Sequence, residues 1–100
     1  MLEITEERQG STLTICPEGQ MNLTTSPAVA EKLTAEKLAG VEQLIFDLEK
    51  LEYLSSAGLR VFLAATKTMA GQGEIIIRNA GQEIHDIFEL AGFANIMTIE

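Results

Sequence analysis

The 100-residue sequence is the length of one domain, expected over residues 1–100, and its 46% hydrophobic and 22% charged residues suit a globular chain with a single core. Seven Lys and Arg against fifteen Asp and Glu give a net charge of −8, which argues against a phosphate-tracking nucleic-acid surface and against docking on anionic lipid. Cys16 and His85 are each the sole residue of their type and no tryptophan is present, which excludes an intrachain disulfide, a cysteine metal cluster and most catalysis. No apolar run approaches the ~20 residues of a bilayer span, and the N-terminus has no signal-peptide pattern, so a cytoplasmic chain is expected.

Leu2 and Ile4 alternate with Glu3 and Thr5, Gln9-Gly10 marks a turn, and Leu13, Ile15 and Pro17 alternate with Thr12, Thr14 and Cys16, which predicts an opening hairpin. Pro17 has no N–H for a ladder, so the second strand is expected to end or bulge there. Gly19 to Thr25 reads as a loop. Ser26 as cap and Pro27 in the first turn then predict a helix to about Leu38, with Gly40 as its stop. Leu44-Ile45-Phe46 is a short apolar run suited to a strand covered on both faces, and residues 48–54 read as a loop. A second helix is predicted from Ser55-Ser56 to about Met69, with Leu59, Phe62, Leu63 and Ala70 as its apolar stripe and Arg60 and Lys67 off it. Ile75-Ile76-Ile77 reads as another buried strand. Ile84, Ile87, Phe88 and Ala91 mark a third helix ended by Gly92, and Ile96 to Thr98 a last strand.

The order β-β-α-β-α-β-α-β predicts an α/β fold, a mostly parallel mixed sheet with helices packed against it. Sites in such sheets lie beyond the carboxyl ends of the strands, which directs attention to the segment after Asp47. There, Ser55 and Ser56 stand at a helix start, followed by Ala57 and Gly58. A serine here is first of all a cap, worth ~1 kcal/mol. Gly58 costs ~1 kcal/mol relative to Ala inside a helix and suggests that something approaches the backbone closely.

Tyr53-Leu54-Ser55-Ser56-Ala57-Gly58-Leu59, following Leu44-Ile45-Phe46-Asp47-Leu48, resembles the signature of the STAS domain, named for sulphate transporters and anti-sigma factor antagonists, and in particular the single-domain bacterial antagonists. Gly19-Gln20-Met21-Asn22 is similar to the family's Gly-Glu-Leu-Asp loop, and Ile87-Phe88-Glu89-Leu90-Ala91-Gly92-Phe93 to its third helix. The resemblance implies a protein-binding module without cofactor or catalytic residues. Its unphosphorylated form docks on an anti-sigma factor that is also a serine kinase, frees the sigma factor, and is reset by a phosphatase.

The phosphorylated position falls on Ser56, with Ser55 as the alternative acceptor; Asn22, Thr24, Ser55, Ala57 and Gly58 are implied as partner-binding. The chain departs from the family pattern in having Ser55 for an aspartate, Ala57 for a serine and Asn22 for a frequent aspartate. Many single-domain antagonists continue into a fourth helix; this sequence ends at Glu100. The resemblance is compatible with a monomer or a weak homodimer. The alternative within the family is a non-phosphorylated interaction subunit of another signalling or transport complex.

An enzyme is disfavoured because a nucleophilic serine needs a base and nothing brings His85 to Ser56. Asp47, Glu49 and Glu52 read as a solvated charge run rather than a magnesium site, Tyr53 as a half-buried packing residue, and Cys16 as structural.

Overall fold

A computed structural model describes residues 2–100. Strands β1 (Leu2–Gln9) and β2 (Thr12–Met21) form the predicted hairpin, antiparallel, with Gln9 opposite Thr12 across a two-residue turn. Gly10 supplies the turn's positive φ of 60°, which a two-residue hairpin loop demands and glycine adopts without strain. Strand β3 (Gln43–Asp47) then pairs parallel with β2 over Thr12–Ile15, β5 (Glu74–Arg78) with β3, and β6 (Thr98–Ile99) with β5. The resulting order is β1-β2-β3-β5-β6, the mixed and mostly parallel sheet that the sequence predicts.

One strand is additional. Residues 48–54 are not all loop, because β4 (Leu51–Leu54) adds parallel to the far end of β2, Gly19 opposite Leu51 and Met21 opposite Leu54. Strand β2 is correspondingly longer than expected and absorbs Gly19, Gln20 and Met21. Pro17 neither ends nor bulges it. Backbone N–H groups two apart on a strand turn the same way, and that of Gly19 donates to the Lys50 carbonyl at 3.0 Å, so the Pro17 nitrogen points to the side of β3 and β4. It sits in the interval where β3 has left β2 and β4 has not yet joined, so its missing donor costs no ladder bond. The irregularity falls later, between Gly19 and Gln20, where Gly19 adopts φ 114°.

The first helix is shorter than expected. Helix α1 is Ser26–Ala30, followed by a 3-10 turn over Glu31–Leu33, and Thr34 is extended. Val29 and Leu33 share a helical face, but Leu38 lies five residues further on, about 140° off that face. Continued helix would bury the face of Lys37 instead. A tight turn closed by the Leu38 N–H on the Thr34 carbonyl, with Gly40 at φ 78°, buries Leu38 fully. Thr25 rather than Ser26 is the N-cap of α1, and the Ser26 hydroxyl is buried without a partner.

Helix α2 (Ser56–Met69) agrees with prediction in its bounds, but its buried stripe is Gly58, Val61, Phe62, Ala65 and Met69, with Leu63 and Ala70 outside. Helix α3 (Gln82–Leu90) buries Ile84 and Phe88 and leaves Ala91 exposed; Gly92 follows at φ 80°. The last strand starts at Thr98, with Ile96 exposed. All three helices feed one core, in which Phe46, Phe62, Phe88 and Phe93 touch in sequence at centroid distances of 4.7, 5.1 and 5.6 Å. Ile45 and Ile76, paired across β3 and β5, lie on the opposite face, buried but apart from that core. The helical cover therefore lies on one face, not two.

Candidate functional site

Because β2 and β4 are parallel and Met21 is opposite Leu54, the chain leaves both strands at the same end. Residues 22–25 and the start of α2 stand side by side there, and the Ser55 N–H donates to the Met21 carbonyl at 2.9 Å. Ser55 is extended (φ −89°, ψ 174°) and is the N-cap of α2: its Oγ accepts from the Gly58 N–H at 3.3 Å and its carbonyl from Leu59 at 3.0 Å. The Ser55 hydroxyl is thus half-buried and engaged. Ser56, the first helical residue, is exposed.

Gly58, expected at the docking surface for the close approach it permits, is buried. A Cβ there would lie 2.5 Å from Leu54 Cδ1, 3.1 Å from Met21 Cβ and 3.3 Å from the Met21 carbonyl oxygen. The close approach is internal: glycine lets the first turn of α2 rest on the end of β2, which fixes the direction in which Ser56 faces. Ala57 is half-buried beside it.

Across from this turn, the Asn22 Oδ1 accepts from the Thr24 N–H at 2.9 Å and the Thr25 N–H at 3.0 Å. The Asn22 N–H donates to Thr25 Oγ1 at 2.9 Å, and that hydroxyl donates to the Gln20 carbonyl at 2.6 Å. In both side-chain bonds to the backbone Asn22 is an acceptor, the role that an aspartate would fill equally. The turn holds Thr24 outward and places Leu23 at 79% exposure. Tyr53 is more open than expected, at 53%. Leu23 was not singled out by sequence reasoning; an apolar residue amid Asn and Thr was the available signal.

The remaining candidates lie elsewhere. Asp47 Oδ1 accepts from the Glu49 N–H and from Asn79 Nδ2, both at 3.2 Å, and is thus tied into the turn after β3. Asp47, Glu49, Lys50, Cys16, Glu18 and Thr5 border a cleft of about 230 Å³ where β3 and β4 part. Burial, then the nearby Asp47 carboxylate, pushes the Cys16 thiol up from its ordinary value. No group of three or more His, Cys, Asp or Glu among the described residues has metal-binding geometry. His85 lies on α3, half-buried, 3.7 Å from Glu89. Among the described residues no helix is long and apolar enough to cross a membrane.

The STAS domain model matches residues 3–100. A candidate anti-sigma factor antagonist of Bordetella bronchiseptica, BtrV, is 29% identical over 99 residues, covering 98% of this chain and 85% of its own. The anti-sigma-B factor antagonist of Listeria monocytogenes is 28% identical over 96 residues, covering 95% and 84%. The fold is similar to that of the anti-sigma factor antagonist SpoIIAA in its unphosphorylated form (TM-score 0.79, 19% identity, 98% of this chain and 87% of that one). It is equally similar to the Bacillus SpoIIAA in its phosphorylated form (TM-score 0.78, 21% identity, 98% and 91%).

Proposed function

The chain belongs to the STAS domain family, and from that premise we propose that it is an anti-sigma factor antagonist whose binding is switched by phosphorylation of Ser56. The observation that carries this reading is the division of labour between the two serines. Ser55 is spent on the helix cap, whereas Ser56 stands exposed at the first position of α2, beside the Asn22–Thr25 turn. The names of the relatives and the solution of SpoIIAA in both phosphorylation states support it.

The unmodified surface around Ser56, including Asn22, Thr24, Ser55 and Ala57, docks on an anti-sigma factor kinase, which releases its sigma factor. In the kinase complex the Ser56 Oγ attacks the γ-phosphorus of ATP; the new O–P bond forms as the bond to the β-phosphate oxygen breaks. ADP leaves and the hydroxyl proton passes to a base of the kinase. The phosphate adds about −1.5 to −2 charges. At an exposed helix start it is favoured by about 0.3–1 kcal/mol, so the domain stays folded. Taking the same phosphate into a protein interface without a cation to meet it costs several kcal/mol, and each ~1.4 kcal/mol is tenfold in affinity. Binding is what changes, and hydrolysis by a phosphatase restores it. The chain is a substrate in this cycle rather than an enzyme.

Incubation with the cognate kinase and magnesium ATP, followed by site mapping, should place one phosphate in the peptide spanning Leu54 to Arg60. Ser56→Ala should abolish it and keep partner affinity, while Ser56→Asp should weaken binding tenfold or more. Equal affinity of wild type, Ser56→Ala and Ser56→Asp for the partner would overturn the reading.

A further inference from the structure

Resting on the phosphorylation of Ser56 proposed above, we propose that Arg60 is the built-in counter-charge of the phosphate, pairing with it one helical turn away on the outer face of α2. Four residues along a helix bring side chains to within about 40° of each other around the axis, with Cβ atoms roughly 5–6 Å apart. Both residues are exposed, and both lie opposite the buried stripe of Gly58, Val61, Phe62, Ala65 and Met69.

The surroundings leave Arg60 without another use on its own helix. Its neighbours three and four positions away are Ala57, Leu63, Ala64 and Ser56, so Ser56 is the one that can carry charge. Helix α2 contains no Asp or Glu, although the chain as a whole carries −8. Among the described residues the ion pairs are Lys32 with Glu6 and Arg78 with Glu100; neither includes Arg60. The order of charges, anion N-terminal to cation at i and i+4, is the favourable one for a helix.

The pair acts as a positioning device. A guanidinium offers a planar fork to two phosphate oxygens, so Arg60 holds the phosphate along α2 instead of leaving it to swing over the Asn22–Thr25 turn. Modification then alters the docking surface twice, by adding an anion and by engaging the cation beside it.

The test installs phosphoserine at position 56 during translation, so that no kinase is involved and failure of the phosphorylation reading shows separately in the kinase assay above. The full chain, wild type and with Arg60→Gln or Arg60→Lys, is titrated by phosphorus NMR. An i,i+4 pair of this kind, at about 0.2–0.5 kcal/mol, lowers the phosphate's second pKa in wild type by about 0.15–0.4 relative to Arg60→Gln. Arg60→Lys keeps the charge and stays on the wild-type side. The helix N-terminus is the same in all three, so the difference reports the side chain alone. A wild-type value no lower than that of Arg60→Gln, or an Arg60→Lys value as high as that of Arg60→Gln, overturns the proposal.

Discussion

Two adjacent hydroxyls, chemically alike, have different fates because one is a hydrogen-bond acceptor in the backbone of α2 and the other is not. Ser55→Ala leaves the Gly58 N–H without its side-chain partner and should cost ~1 kcal/mol in urea denaturation, while phosphate still maps to Ser56. Loss of modification in that variant with the fold intact would instead identify Ser55 as the acceptor. Asn22 follows the same logic from the other side of the site. Its Oδ1 is the acceptor that closes the turn, so Asn22→Asp should change stability by less than ~0.5 kcal/mol, whereas Asn22→Ala should lose about 1 kcal/mol by leaving the Thr24 and Thr25 N–H groups to water. The chain's departures from the family pattern at 22 and 55 thus preserve the local hydrogen bonding while removing charge.

Helix α2 is held where two elements meet, and the glycine in its first turn shows how. Alanine at position 58 would gain about 1 kcal/mol of helix propensity, but its Cβ would press on Leu54 and on the Cβ and carbonyl of Met21. Leu54 can turn its methyl aside; the end of β2 cannot move as easily. Gly58→Ala should therefore be destabilising by about 1–2 kcal/mol net, read as a lower urea midpoint with unchanged slope. The start and end of α2 were legible in the sequence because caps, glycines and apolar spacing act within a few residues. The partner of Gly58 was not, since Met21 is brought there only by the pairing of β2 with β4. Strand β4 escaped for a related reason: its pattern, buried at Leu51 and Leu54 and exposed between, has no two-residue period. The early end of α1 was encoded in the five-residue step from Leu33 to Leu38, a signal overridden by the favourable Ser26-Pro27 start.

At the scale of the whole molecule, the sheet is organised around β2, which pairs with β1 along one side and with β3 and then β4 along the other. The aromatic contacts from Phe46 through Phe62 to Phe88 tie β3, α2 and α3 into one core, so the helix carrying Ser56 stands on a rigid base. The fold class follows from element order; the division of β2 between two partners does not, because strand choice is made across the whole sheet. Its consequence is a graded resistance to opening. Strand β4 is hydrogen-bonded to β2 alone, whereas β3 is held by both β2 and β5. In hydrogen–deuterium exchange the amides of Leu51 to Gly58 should exchange before those of Leu44 to Phe46, at conditions where the core remains closed. On the proposed phosphorylation of Ser56, the segment leading into that serine is then the part of the sheet that can be lent to a kinase's catalytic cleft, and taken back, without β3 and the core coming apart.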